Sequence, residues 1–514
     1  MQSDRHVARN FLPLVSDEAV SRVIVCRAGM QVSMRRLFLL CLLFMLLDGG
    51  VIASPRVLFS TYLGGSESDQ PAGDMFIDAH GNIYITGPTK SADFPVTKGA
   101  FDTTFNDRHG MTDAFVAKLN PCGNIVWSTF IGTPTRDDFY SIKVDEQGYV
   151  YLAGAFGPGA PTTPNVLQRT FAGPADGPNQ WDGYLAKLSP DGSRLVWATY
   201  LGTASNDLIR SMDMDSAGNL IVATGYRGAP WPGDWFEGSF QPEPRGGEET
   251  VIIKINTDAT RVLWASYLGG SGNESWEPNV AVNAAGQVHV YTATRSANMP
   301  VTRGAFDLTY NGEEDIYIGT LSADGTRLLM GTYLGTDKND GAGGTRGIAL
   351  APDGALGVSG WTESRDFPVT DNAAFSVPVW STSWGTHGVT ARFSPNGKLL
   401  AASYAGDAEG LSLDSLGNVY IATFAHDNGV KIDDDAFQVK PGGGNDGALV
   451  VLTGMLDRVL YASYLGGSGD DIARIGAVGP HDNFHVSGMT ESNDMPLVSP
   501  MQGKPAGSED IFLA

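Results

Sequence analysis

The fold is decided by the motif that opens the segment Tyr464-Leu465-Gly466-Gly467-Ser468-Gly469-Asp470-Asp471, an aromatic residue followed by an apolar residue and glycine. This motif occurs seven times, at steps of 60 to 71 residues. Its aromatic positions are Tyr62, Phe130, Tyr200, Tyr267, Tyr333, Tyr404 and Tyr464. Repetition at so regular a spacing is typical of architectures in which every copy is one structural unit. We therefore expect seven copies of a single unit.

Each copy contains four short segments, A to D, that are rich in β-branched and aromatic residues and predict strands. Segment A is represented by residues 141–145, B by Gly81–Gly87 and C by Asp113–Leu119, and D ends on the aromatic motif. Hairpin turns such as Asp78-Ala79-His80-Gly81 separate them, with Asp binding the turn backbone and Gly taking the positive φ. Four-stranded units repeated in this way predict a β-propeller.

The phase of the repeat predicts how the propeller closes. Only one strand, residues 56–62, precedes the first motif, and it matches segment D. The last strand, residues 510–514, matches segment C and has no D after it. We therefore predict an all-β, seven-bladed propeller of four-stranded antiparallel blades, in which blade 7 consists of residues 472–514 and residues 56–62. Such closure leaves no unpaired sheet edge.

Three motifs in combination resemble a known family. They are the run Tyr464 to Asp471, Gly-Asn-Val-Tyr at residues 417–420, and Asp-Phe-Pro-Val-Thr with Gly-Ala-Phe at residues 93–101. Over residues 56–514 the sequence resembles the SBBP (β-propeller repeat) family. The resemblance implies a secreted or surface-located propeller without a shared catalytic set. We expect the phenyl rings of the third motif to plug neighbouring blades.

The N-terminal region resembles a targeting segment. Met34-Arg35-Arg36 is followed by an apolar run, residues 37–47, and by the small residues Val51 and Ala53. This pattern predicts a secretory signal cleaved near Ala53 and a protein that is secreted, cell-surface or periplasmic. Residues 1–33 do not resemble the start of a signal, so we expect translation to begin at Met34 or Met30. An uncleaved anchor is the alternative. The predicted domains are a targeting segment, 1–53, and one propeller, 54–514.

The net charge of the chain restricts the classes of partner that we expect it to bind. Lys and Arg number 34 against 57 Asp and Glu, so the net charge is -23. Such a surface repels nucleic acid and anionic lipid. We predict no nucleic-acid partner and no membrane insertion of the mature domain. The expected partners are an extracellular protein or a glycan, and the expected state is a monomer.

An acidic residue recurs seven positions after the motif aromatic in every blade except the sixth, which has Leu411. The members of this acidic series are Asp69, Asp137, Asp207, Glu274, Asp340 and Asp471. Two hypotheses are open. The six carboxylates ring the mouth of the central channel and bind Ca²⁺, which prefers oxygen ligands, or each caps its own D–A turn. Adjacent carboxylates such as Asp137-Asp138 are typical of solvated turns.

Ten tryptophans divide into two groups. Trp127, Trp197 and Trp264 occupy equivalent positions in strand D, which predicts a core role. The others lie in or beside the long B–C and D–A connections, which we expect on one rim of the propeller; they are Trp181, Trp231, Trp235, Trp276, Trp361, Trp380 and Trp384. Flat indoles beside polar groups suit sugar rings. The alternative is that they cover the blades beneath the loops.

No catalytic motif is present in the sequence, so we predict a protein that is not an enzyme and has no catalytic residues. His109 and His387 lie on the candidate rim and are the histidines best placed for general-base chemistry. The predicted function is a non-catalytic extracytoplasmic binding or adhesion scaffold, with a glycan or protein ligand on this rim. Two alternatives stay open: a hydrolase or lyase acting on glycans with Ca²⁺ at the channel mouth, and a purely structural envelope protein.

Overall fold

The computed structural model describes residues 56–71, 74–106, 110–174, 180–275, 277–342, 347–378, 386–405, 410–425, 432 and 434–514. The predicted targeting segment, 1–53, lies outside these residues. The described part is almost entirely β-structure, and its helical content consists of two 3-10 turns, Gly233–Phe236 and Pro480–Asp482. Neither turn is long and apolar enough to span a bilayer, and no other helix occurs in these ranges.

Seven antiparallel sheets form the seven predicted blades. Blade 1 contains β2 (Met75–Ile77), β3 (Ile83–Thr89), β4 (Asp113–Leu119) and β5 (Ile125–Ile131). Blade 2 contains β6 (Asp137–Val144), β7 (Val150–Phe156), β8 (Asp182–Leu188) and β9 (Leu195–Leu201). Blade 3 contains β10 (Ser211–Met214), β11 (Leu220–Tyr226), β12 (Glu249–Ile255) and β13 (Val262–Leu268). Within each blade the four strands pair in chain order, as their spacing predicts.

Blades 4 to 6 have the same order, except that strand A of blade 5 is divided into β18 and β19, which both pair with β20. Blade 4 contains β14 (Asn279–Val282), β15 (Val288–Thr294), β16 (Asp315–Leu321) and β17 (Leu328–Leu334). Blade 5 contains β18 (Asp340–Ala342), β19 (Ile348–Leu350), β20 (Leu356–Thr362), β21 (His387–Phe393) and β22 (Leu399–Tyr404). Blade 6 contains β23 (Gly410–Leu413), β24 (Val419–Ala425), β25 (Asp446–Leu452) and β26 (Val459–Leu465).

Blade 7 combines the two ends of the described chain. It contains β27 (Asp471–Val478), β28 (Phe484–Thr490), β29 (Asp510–Leu513) and, as its fourth strand, β1 (Thr61–Leu63). In the antiparallel β1–β29 pair, Tyr62 lies opposite Phe512. The buried Tyr62 hydroxyl donates to the Ser492 carbonyl at 2.8 Å. On the other side of the blade, β27 contacts β2 of blade 1.

The long B–C connections take a path that the sequence did not predict. In blade 1, Thr97 N donates to the Ser128 carbonyl and Phe130 N donates to the Asp102 carbonyl, both at 3.0 Å, so the connection runs beside strand D of its own blade. Phe101 N then donates at 2.9 Å to a carbonyl in the C–D turn of blade 2. The expectation that these connections lie on one rim is therefore wrong for their central parts. They cover the outer sheet edge, which would otherwise be open to pairing.

Aromatic side chains join the blades, as predicted. The Phe306 ring of the blade 4 connection contacts Phe393 of blade 5 with an edge-to-face geometry, at 6.2 Å between centroids. Trp127 is buried, and its Nε1 donates at 3.0 Å to the Pro190 carbonyl in the next blade. Trp264 makes the equivalent bond to Ala323 at 3.1 Å. The predicted core role is confirmed for Trp127 and Trp197, which are buried, whereas Trp264 is half-buried and packs against the core.

Candidate functional site

The acidic series lies at the rim where each strand D leads into the next strand A, and every member caps a turn. Asp69, Asp340 and Asp471 each accept a hydrogen bond at 2.6 Å from the backbone N–H four residues earlier. All six side chains are buried, with at most 2 % of the residue exposed. These hydrogen bonds agree with the hypothesis that each carboxylate caps its own D–A turn. The prediction of solvated turns is wrong for Asp137 and Asp138, both of which are buried.

Each member of the series has an acidic neighbour at the start of strand C in the preceding blade. The resulting junction pairs are Asp510 with Asp69, Asp113 with Asp137, Asp182 with Asp207, Glu249 with Glu274, Asp315 with Asp340, and Asp446 with Asp471. The glycine of the aromatic motif separates the two carboxylates. A methyl group on Gly335, for example, would lie 2.6 Å from Asp315 Oδ1 and 3.1 Å from Asp340 Oδ2, so the close approach requires glycine.

The junction between blades 5 and 6 lacks both acids at once. His387 begins strand C where six blades have Asp or Glu, and Gly410 and Leu411 begin strand A. His387 itself is buried in this position. Because the two acids are replaced together, we interpret each junction pair as one structural unit.

Burial is the main cause of raised pKa values in these pairs, and the facing carboxylate raises several of them further. The pKa of Asp69 and that of Asp207 rise to about 6, those of Asp182, Glu274 and Asp315 to about 7, and that of Asp137 to about 8. The described ranges contain no group of three or more His, Cys, Asp or Glu residues arranged to hold a metal ion. The structure thus groups the acids two by two, and Ca²⁺ binding stays a prediction.

Most of the predicted ligand-binding tryptophans either pack on the blades or lie outside the described residues. Trp231 is 4 % exposed and packs with Trp235 on the hydrophobic core of blades 2 and 3, with ring centroids 6.1 Å apart. Trp361 lies over Gly341. The residues outside the described ranges are Trp276, Trp380, Trp384 and His109. Ligand contact by this group stays a prediction.

Trp181 is different, because it belongs to a polar group of side chains that we call the blade-2 cluster: Arg136, Asp138, Tyr140, Trp181 and Arg210. The Arg136 guanidinium lies 5.9 Å from the Trp181 ring centroid. Arg136 Nη2 is 3.6 Å from Asp138 Oδ2. Arg136 is 54 % exposed, whereas Asp138 is buried. The cluster therefore presents a cation and an indole to solvent above a buried carboxylate.

Tyr140 and Arg210 complete the cluster beside the first strands of blades 2 and 3. Tyr140 is the extra residue of a β-bulge in β6, between Phe139 and Ser141. Bulges redirect side chains and are frequent next to functional sites. The Tyr140 side chain hydrogen-bonds Asp138, and the Arg210 guanidinium lies 4.8 Å from the Tyr140 ring centroid. Arg210 Nη2 is also 3.6 Å from the carboxylate of Glu277 in blade 4.

Three buried polar atoms of the blade-2 cluster have no hydrogen-bond partner: Asp138 Oδ1, Trp181 Nε1 and Arg210 Nε. Leaving such atoms unpaired costs free energy, so their concentration in one place requires an explanation. Burial raises the pKa of Asp138 to about 7, although the charges of Arg136 and Arg210 oppose the rise. The junction pairs also have raised pKa values and unpaired buried oxygens such as Asp315 Oδ1, so these two features alone do not distinguish the blade-2 cluster.

Comparison of the seven blades with one another shows that this cluster is not part of the repeat. At the position of Arg136 the other blades have Ser68, Asn206, Asn273, Asn339, Gly410 and Asp470. At the position of Trp181 they have Thr112, Glu248, Glu314, Thr386, Asn445 and Glu509. Sequence reasoning missed Arg136, Tyr140 and Arg210 because it followed recurring residues. The signal that could have identified them is a rim position at which the residue of one blade differs from the residues of the other blades.

A cavity of about 280 Å³ lies beside Arg136, between blades 1 and 2. Its described lining includes Ser68, Gln70, Lys90 and Arg136, of which Lys90 and Arg136 are cationic. Ser68 Oγ and Gln70 Nε2 donate to the neighbouring Glu509 carboxylate at 2.7 and 2.9 Å. The volume is close to the lower limit of small-ligand pockets, roughly 300 Å³.

The fold and the rim define a seven-bladed β-propeller whose second blade carries a polar cluster that the repeat does not contain. Residues 58–95, which include β1, β2 and β3, match the model of the β-propeller repeat family, SBBP. This match confirms the resemblance inferred from the motifs. No curated protein matches the chain.

Solved structures resemble the chain only distantly. A protein of unknown function from Dyadobacter fermentans is 12% identical, with 73% of this chain and 95% of that chain covered and a TM-score of 0.37. The ulvan lyase of polysaccharide lyase family PL25 is 10% identical, with 88% of this chain and 95% of that chain covered and a TM-score of 0.43. The quinohemoprotein alcohol dehydrogenase of Comamonas testosteroni is 11% identical, with 88% of this chain and 75% of that chain covered and a TM-score of 0.38. Likenesses at this level carry no information about activity.

Proposed function

We propose that this chain is a non-catalytic, extracytoplasmic binding or adhesion scaffold, and that its glycan or protein ligand binds at the blade-2 cluster. The observation that carries the proposal is the polar cluster of blade 2, because Arg136 and Trp181 do not occur at the equivalent positions of the other blades. Residues that recur in every blade support the fold, whereas Arg136, Trp181 and Tyr140 have no counterpart required by the repeat. Loops and strand ends on a rigid scaffold are where binding residues concentrate.

The exposed cation and the indole supply the second support. The Arg136 side chain is 54 % exposed, and the Trp181 ring lies beside it. The guanidinium can bind an acidic or polar group of a ligand, and the indole offers an apolar face. Secretion is proposed on the predicted signal near residues 34–53 and on the resemblance to SBBP proteins. The scaffold is proposed to act as a monomer.

A screen of immobilised glycans and envelope proteins tests this proposal. We expect the wild-type protein to bind a ligand, and Arg136→Ala and Trp181→Ala to weaken binding at least about tenfold, because removal of a charge-assisted hydrogen bond costs about 1.5–3 kcal/mol. Asn339→Ala changes the position equivalent to Arg136 in blade 5 and is expected to bind like the wild type. Absence of any ligand would favour the structural envelope role, and equal binding by all variants would place the site elsewhere.

A second candidate is a glycan hydrolase or lyase, favoured by the pKa of Asp138 near 7 and by its hydrogen bond with Tyr140. A carboxyl group with a pKa near the working pH is suited to proton transfer. Incubating the protein with any glycan from the screen and analysing chain length distinguishes the two. Shortening of the glycan by the wild type but not by Asp138→Asn would replace the binding proposal with this one.

A further inference from the structure

The charge around the blade-2 cluster is opposite to that of the chain as a whole. The protein has a net charge of -23, yet the charged residues among the described lining of the cavity between blades 1 and 2 are Lys90 and Arg136. Glu509, which neighbours the cavity, accepts hydrogen bonds from Ser68 and Gln70. An anion entering this cavity therefore meets two cations, beside a Glu509 carboxylate that is already hydrogen-bonded.

The Arg136 guanidinium has N–H donors that are available to a ligand. Its distance of 3.6 Å from Asp138 Oδ2 is longer than a charge-assisted hydrogen bond, which measures about 2.7–2.9 Å. The planar guanidinium has five N–H donors in a fork that matches a carboxylate or sulfate group. With a pKa of about 7, Asp138 carries only part of a negative charge at neutral pH, so it neutralises Arg136 incompletely.

The ring beside the guanidinium indicates a sugar rather than a free anion. The Trp181 indole is half-buried, and its ring centroid lies 5.9 Å from the Arg136 guanidinium. A flat indole suits the apolar face of a sugar ring, and an acidic sugar also supplies a carboxylate or sulfate group for the neighbouring cation.

We infer that the blade-2 cluster binds an acidic glycan, whose carboxylate or sulfate group lies on Arg136 in the cavity shared with Lys90, and whose sugar ring lies against the Trp181 indole. This inference rests on the proposed function and specifies its ligand class. The class is a polysaccharide of hexuronate or sulfated units, and the site takes one charged unit.

Isothermal titration with four probes tests the inference: an oligogalacturonate, a sulfated galactan oligosaccharide, a neutral glucan oligosaccharide of equal length, and a poly-glutamate peptide. We expect at least one acidic oligosaccharide to bind, with the neutral glucan and the peptide at least about tenfold weaker. Raising NaCl from 50 to 500 mM should weaken binding several-fold, because the cations are partly exposed and salt screens such charges. The two acidic probes distinguish carboxylate from sulfate recognition.

Arg136→Gln and Lys90→Gln are expected to lower the affinity for the acidic probe at least about tenfold. Arg136→Lys, which keeps the charge and loses the fork, should fall between them and the wild type. Arg295→Gln is the matched control, since Arg295 is an exposed arginine at 62 % that pairs with Glu314 in blade 4. Unchanged melting curves show that each variant is folded.

Binding of neither acidic oligosaccharide overturns the inference, and so does equal binding of the neutral glucan or tighter binding of the peptide. These results leave the proposed function standing whenever the broader screen finds a ligand that depends on Trp181. Absence of any ligand in that screen overturns both. Acidic glycan binding that Arg136→Gln does not weaken also overturns the inference.

Discussion

Deletion of residues 56–63 is expected to lower the melting temperature by more than about 10 °C, the largest effect that we predict for a change of this size. The deletion removes β1, and with it three buried side chains, Phe59, Tyr62 and Leu63. Loss of one large buried side chain costs about 2–5 kcal/mol. The loss also exposes the edge of β29, which favours association of unpaired strands. Thermal denaturation followed by circular dichroism measures the change.

Two controls make this result specific for ring closure. Leu58→Ala changes a side chain that is 59 % exposed in the same segment, and it should leave the melting temperature within about 2 °C. A synthetic peptide of residues 56–63, added to the deleted protein, should restore part of the lost stability by pairing with the open edge. An unchanged melting temperature after the deletion would show that β1 does not close the ring.

Raising the pH from 5 to 8.5 is expected to lower the free energy of unfolding by several kcal/mol. Carboxyl groups of the junction pairs have folded-state pKa values of about 6 to 8, against about 4 in the unfolded chain. The folded protein therefore holds protons that the unfolded chain releases. The stability due to these protons is fully present below about pH 4 and is lost as the pH rises through the folded pKa values. Urea unfolding at several pH values measures it.

Substitution of one pair tests the cause of this pH dependence. Asp340→Asn keeps an oxygen for the Thr336 N–H and adds an amide donor for the facing Asp315 carboxylate. We expect it to raise stability at pH 8.5 and to reduce the pH dependence, because it removes one of the twelve carboxyl groups in the junction pairs and also the charge that helps to raise the pKa of Asp315. Asp191→Asn is the control, since the pKa of exposed Asp191 is lowered to about 2 and lies outside this range. Stability that is constant or rises from pH 5 to 8.5 would contradict the prediction.

The blades were predictable because their signal is local. Alternating strands, Asp–Gly turns and the aromatic motif act within a few residues, and the regular steps reveal the number of copies. The path of the B–C connections was not predictable in this way. The bonds of Thr97 to Ser128 and of Phe101 to Gly192 join segments without any periodic pattern, and the second crosses between blades.

The candidate site was predicted only in part, and the reason is again distance in sequence. The series containing Asp340 was visible, but its neighbour Asp315 begins a strand of the preceding blade, so the pairing depends on how blades meet. Asp138 was expected in a solvated turn because it is adjacent to a second carboxylate, Asp137. It is buried because Tyr140 and Arg210, which come from two blades, lie against it.

Pairing of β1 with β29 closes the ring and fixes both rims, and hydrogen exchange of individual backbone amides measures it most directly. Ring closure predicts that amides of Thr61–Leu63 and Asp510–Leu513 in these two strands are protected to the same degree as those of β12 in blade 3. Exchange of the Thr61–Leu63 amides at the rate of an unstructured peptide, with β12 still protected, would show that blade 7 is open and would contradict the closed propeller.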